Sequence, residues 1–150
     1  MMKELTLSQL YALLTHPDEN VRSEAGKEFV EWCIDKGWYW PLLDESFPEE
    51  IRTLGQKYIK EAVENYKNRC IREGWYEGLE RLIKDERIPE DIRNSAGKEL
   101  VEIYYREGML FDLVSLVEES VPRYVRELAE ESAKNLVRNW RNYITFEEFL

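Results

Sequence analysis

Three lysine–glutamate pairs recur at i,i+4 spacing: Lys27 and Glu31, Lys57 and Glu61, Lys98 and Glu102. On a helix that spacing places both side chains on one face. Two chemistries fit such a row. Its carboxylates can grip a basic peptide, or the lysines neutralise them and leave a solvated ladder in which each pair contributes about 0.2–0.5 kcal/mol. Ile34 and Tyr105 stand near the same face and add apolar contact area. A second group is aromatic: Trp38-Tyr39-Trp40, Trp75-Tyr76, then Met109-Leu110-Phe111. Trp and Tyr dominate binding hot spots. A hydrophobic residue just after a helix-capping glycine also folds back on its own helix, which is the competing account.

Catalytic chemistry finds few residues. His16 is the only histidine, so no His-based metal site, zinc cluster or nucleophile triad can be assembled. There is no Gly-rich phosphate loop. We therefore assign no catalytic residue, no metal and no cofactor. Cys33 and Cys70 fall on a buried stripe and read as core residues. Two cysteines do not make a disulfide framework, which favours a reduced, cytoplasmic protein.

The net charge of −10 argues against a nucleic-acid backbone as partner and favours a basic protein. No apolar run approaches the ~20 residues of a membrane span. The segment MMKELTLSQL lacks the apolar core of a signal peptide. Abundant Lys, Glu and Arg beside only Gln9 and Gln56 match thermophilic compositions.

The elements that position these residues come from a repeat. One phrase occurs four times: Val21-Arg22-x-x-Ala25, Ile51-Arg52-x-x-Gly55, Ile92-Arg93-x-x-Ala96 and Val125-Arg126-x-x-Ala129. Pro17, Pro48, Pro89 and Pro122 precede the phrases by a few residues. A period of about 35 residues indicates a stacked array of supersecondary units. Each unit reads as two helices. The first is short and Leu-rich: Leu10, Leu13 and Leu14; Leu42 and Leu43; Leu79, Leu82 and Ile83; Leu113, Leu116 and Val117. Thr6 and Gln9 form a capping box ahead of it. The second begins at the Arg phrase.

Counting from the Arg as zero, the apolar positions are −1, +3, +7, +10 and +11, the stripe of a helix with one buried face. Gly37 and Gly108 end two of these helices as left-handed caps. The second repeat reaches its glycine, Gly74, 22 residues after its Arg, against 15 in the first and third. Seven extra residues are about two turns, so the buried face keeps its phase. Thr145 and Glu148 predict one more short helix at the end. The flanks alternate in polarity. They predict that Gly26 and Val30 meet Leu54 and Tyr58, and that Gly97 and Val101 meet Leu128.

The phrase Pro-x-x-Val-Arg-x-x-Ala resembles the opening of the second helix in HEAT repeats. The resemblance runs from about Leu5 to Tyr143. It implies an all-α fold, a short right-handed α-α solenoid of helical hairpins in a single domain spanning 1–150. The repeats fall at about 5–37, 38–74, 75–108 and 109–143, with a capping segment at 144–150. It also implies that Arg22, Arg52, Arg93 and Arg126 are structural and pair with acids of neighbouring turns. Such arrays mostly serve as scaffolds. The expected function is a protein-binding adaptor, with Trp38, Tyr39, Trp40, Trp75, Tyr76, Glu31, Tyr58, Glu61, Glu102 and Tyr105 as candidate contacts. One alternative is an enzyme or small-ligand protein with a pocket near Tyr58, Glu61 and Tyr105. Another is a homo-oligomer formed through the aromatic edge.

Overall fold

A computed structural model of the chain describes residues 6–45 and 47–148. All regular structure among these residues is helical. In order come α1 (Leu7–Leu13), α2 (Glu19–Lys36), a 3-10 turn (Trp40–Leu43), α3 (Glu49–Glu73), α4 (Tyr76–Lys84), α5 (Glu90–Arg106), α6 (Leu110–Ser115) and α7 (Arg123–Glu148). The chain divides into two compact units, one ending at Glu73 and the next beginning at Gly74. In the first unit α2 packs on α3, and both α1 and the 3-10 turn lie against α2. In the second α5 packs on α7, with α4 on α5 and α6 touching both long helices.

Local chemistry sets the helix starts. Thr6 and Gln9 close the expected capping box: the Gln9 N–H donates to Thr6 Oγ1 at 3.2 Å, and the Thr6 N–H donates to Gln9 Oε1 at 2.9 Å. Asp18 caps α2 by accepting from the Asn20 N–H at 2.9 Å. Pro48, Pro89 and Pro122 stand immediately before α3, α5 and α7. Proline has no N–H to leave unsatisfied there, and its carbonyl begins the helical ladder. All four phrases use the same register. The backbone N–H groups of Arg22, Arg52, Arg93 and Arg126 donate to the carbonyls of Asp18, Pro48, Pro89 and Pro122 at 3.0–3.2 Å.

Helix ends follow the glycine rule. Gly37 and Gly108 have φ of 70° and 71°, where a Cβ is disfavoured. At Gly37 the Trp38 N–H donates to the Cys33 carbonyl at 2.8 Å and the Gly37 N–H to that of Ile34 at 3.1 Å. Met109 and Gly108 repeat this pattern on Tyr104 and Tyr105. Both are Schellman caps.

Packing follows the small residues. Ala25, Gly55, Ala96 and Ala129, all at +3, are buried. At +4, a Cβ on Gly26 would lie 3.2 Å from Ile51 Cγ1, and one on Gly97 only 2.3 Å from Val125 Cγ2. Ile51 and Val125 both hold the −1 position of the following phrase, so the two units join their long helices by the same contact. Gly26 and Gly97 thus approach the next long helix within each unit, at Ile51 and Val125 and not at the predicted Leu54 and Leu128.

Three expectations change. Leu42 and Leu43 form a single 3-10 turn, because Pro41 and the short run to Pro48 leave no room for a longer helix. Val117 is exposed, since α6 ends at Ser115 and the chain turns away. The helix expected to start at Thr145 is not separate: α7 runs on to Glu148. Phe149 and Leu150, the rest of that segment, lie outside the described residues.

The four arginines meet the acid-pairing expectation only in part: Arg93 interacts electrostatically with Asp85 of its preceding turn, while the hydrogen bonds of Arg22 and Arg93 go to turn carbonyls. Arg22 Nη1 donates to the His16 and Pro17 carbonyls at 2.9 and 3.0 Å, and Arg93 Nε donates to the Ile88 carbonyl at 2.9 Å. These bonds hold the turn onto its helix. The Nε atoms of Arg52 and Arg126 are buried without a hydrogen-bond partner among the described residues. Arg22→Met is expected to lower stability by about 1–2 kcal/mol, since two charge-assisted bonds are lost. Arg126→Met keeps the packed stem and is expected to stay within about 0.5 kcal/mol of the parent. Urea unfolding of both variants checks this contrast.

Candidate functional site

The face that carries the lysine–glutamate pairs forms a groove in the first unit. Lys27, Glu31 and Asp35 line it from α2, and Lys57, Tyr58 and Glu61 from α3, over a floor of Val30, Ile34 and Leu54. Its volume is about 550 Å³. Van der Waals contact at the Gly26–Ile51 joint sets the helix spacing, and the groove opens above it. Val30, Leu54 and Tyr58, which the flank pattern predicts to meet, all line this groove.

The lysines do not close ion pairs with their partners as a ladder would. Among the described residues, none of the three i,i+4 pairs closes into an ion pair within 4.0 Å. The Lys57 Nζ instead sits 5.4 Å from the centroid of the Tyr58 ring, in a cation–π contact. Glu31, Asp35 and Glu61 are left presenting carboxylates over an apolar floor. Of the predicted contacts, Glu31, Tyr58 and Glu61 therefore share one groove. Glu102 and Tyr105 belong to the second unit, where both are exposed on α5.

Beside the groove, the added turns of α3 have a structural use. Asn65 Nδ2 donates to the Ile34 carbonyl at 2.8 Å, and Arg69 Nη1 to that of Lys36 at 3.2 Å. Both bonds satisfy terminal carbonyls of α2, and the guanidinium lies at the negative end of the helix dipole.

The aromatic candidates separate by burial. Trp38 packs edge-on against Trp32, centroids 4.5 Å apart, as a residue following a Schellman glycine should. Tyr39 is 5 % exposed, held edge-on by Tyr66, and offers a partner nothing. Trp40 at 41 % and Trp75 at 44 % keep accessible rings. Tyr76 is half-buried against Tyr104. Tyr104 donates its hydroxyl to Glu80 Oε1 at 2.7 Å, and burial followed by that carboxylate raises its pKa.

Leu110 and Phe111, part of the aromatic group, lie in an apolar groove of the second unit whose α7 wall the sequence did not predict. Leu110, Phe111 and Val114 of α6 face Ala133 and Val137 of α7, with Lys134 and Arg138 at the rim and a volume of about 520 Å³. Phe111 is 86 % exposed. The signal was its placement in a six-residue helix too short to bury both faces.

No cluster that could hold a metal ion occurs among the described residues, and no helix there is long and apolar enough to cross a membrane. Both thiols are buried and free. Burial pushes the Cys33 thiol up to about 12 and raises that of Cys70. A thiol with raised pKa carries little thiolate at neutral pH. Ellman's reagent at pH 8 is expected to leave both cysteines unmodified in the folded chain and to titrate two thiols in denaturant. Comparison of the chain with protein-family models, curated proteins and solved structures finds no match.

Proposed function

We propose that this chain is a protein-binding module built from HEAT-like helical hairpins. In this reading it is an adaptor or small subunit, and the α2–α3 groove holds a basic segment of its partner. The carrying observation is the groove itself: Glu31, Asp35 and Glu61 outnumber Lys27 and Lys57 around an apolar floor, and neither Glu31 nor Glu61 closes an ion pair with its lysine. Carboxylates supply charge complementarity, while Val30, Ile34, Leu54 and Tyr58 supply area. The solenoid reading draws support from the common backbone register of the four arginines and from the repeated glycine joint. The net charge of −10 disfavours nucleic acid as the partner. Two reduced cysteines suit the cytoplasm.

Fluorescence anisotropy with a Lys/Arg-rich peptide checks this reading. Saturable binding that weakens with salt is expected, with an acidic peptide of equal length inert. A double Glu31→Gln, Glu61→Gln variant is expected to weaken binding by about fivefold or more and to flatten the salt dependence. An unchanged affinity in that variant removes the groove from consideration.

A second reading rests on Phe111. A large ring this exposed, in a groove with Val114 and Val137, fits a self-association surface. Light scattering over a concentration series is expected to show a dimer that Phe111→Ser, Val114→Ser converts to monomer. A parent chain that stays monomeric throughout rejects it.

A further inference from the structure

A small cavity of about 140 Å³ lies among Tyr11, Phe29, Trp38, Trp40, Pro41 and Asp44 in the first unit. Its walls come from three elements: α1, α2 with its C-terminal link, and the 3-10 turn. Phe29 is 1 % exposed and closes the floor, while Tyr11 at 43 % and Trp40 at 41 % form an accessible mouth. Cavities of about 150 Å³ hold a guest the size of benzene.

The rings are fixed before any ligand arrives. Tyr11 meets Phe29 edge-on, centroids 5.3 Å apart, and is tilted on Phe47 at the same separation. Trp38 and Trp40 stack at 5.5 Å and 25°. Trp32 braces Trp38 from the side, and Tyr39 and Tyr66 brace Trp40. Such bracing removes ordering cost from binding.

Ring faces are negative and attract cations, Trp most strongly. Asp44 adds a carboxylate to the lining. Its proximity registers on Tyr11, whose phenol is raised by burial and then by the Asp44 charge. A bare ammonium is a poor guest here, because it is strongly hydrated and the aromatic walls return few acceptors. An alkylated ammonium carries its charge on methyl groups and sheds little hydration. We propose that this aromatic pocket binds a methylated ammonium headgroup, such as that of trimethyl-lysine or choline, by cation–π contact with the exposed rings of Trp40 and Tyr11, with the Asp44 charge nearby. The site stands apart from the α2–α3 groove and does not depend on it.

Choline and its neutral carbon isostere, 3,3-dimethylbutan-1-ol, are titrated into the intact chain and followed by the indole resonances in NMR. Saturable shifts with choline are expected, with the isostere weaker by about tenfold or more. Tyr11→Leu keeps an apolar wall without a π face, and Trp40→Ala opens an exposed wall. Each is expected to weaken choline by about tenfold, and Asp44→Asn by a smaller factor, in variants whose melting shows an intact fold. An Nε-trimethyl-lysine amide and phosphocholine are compared in the same way. Binding of either supports the pocket, and the tighter one identifies the source of the headgroup. The proposal is overturned if choline does not saturate, if the isostere binds equally, or if folded Tyr11→Leu and Trp40→Ala retain full affinity.

Discussion

Gly26 and Gly97 lack side chains in places where a neighbouring helix fills the space. Val125 occupies the volume that a Cβ on Gly97 would need, Ile51 stands tight against that of Gly26, and Gly55 meets the Leu42 carbonyl, 2.8 Å from where its own Cβ would stand. This close approach fixes how the long helices of each unit lie against one another. Buried apolar residues then fill in around the joint, Phe29, Val30 and Ile59 in one unit and Leu100, Val101 and Tyr104 in the other. Interiors packed at this density tolerate little intrusion, so a methyl group at Gly97 cannot enter without displacing Val125. The groove proposed for a basic segment depends on the same joint, because the separation of α2 and α3 determines how far apart Glu31 and Glu61 stand.

Much of this architecture could be read from residue types. The Arg phrase located every long helix, since a proline, an acid or small residue and an apolar stripe at helical spacing act through local chemistry. The C-terminal glycines gave the helix ends and their positive φ for the same reason. What failed was what depends on the rest of the fold. Leu42 and Leu43 looked like a helix, but Pro41 and the short distance to Pro48 limit them to one turn. Thr145 looked like a cap, but a capping box only operates where the preceding helix has ended, and α7 has not.

The candidate site was legible in part. Helical spacing put Glu31 and Glu61 on matching faces and Tyr58 on the flank beside them, and the fold gathers all three. Spacing does not say where a lysine will turn, and Lys57 prefers the Tyr58 ring. Three aromatics in succession, Trp38 to Trp40, were one signal for a surface. Their division into a braced ring, a buried ring and an exposed ring follows from what each meets in space. Tyr11 and Asp44 could not be joined to them from sequence, because the elements that carry them meet only once the chain has folded.

The lengthened α3 constrains which changes in length its lineage could accept. Its extra residues return the apolar stripe almost to its original bearing, within about 20° over seven residues. Tyr66 and Cys70 consequently stay buried, while Asn65 and Arg69 reach the end of α2. A gain of five residues would swing everything beyond it by about 140°, at 100° each. Cys70 would then point to water and Arg69 away from its carbonyl. Growth of this helix is thus restricted to discrete increments, much as a screw thread accepts a nut only at whole turns.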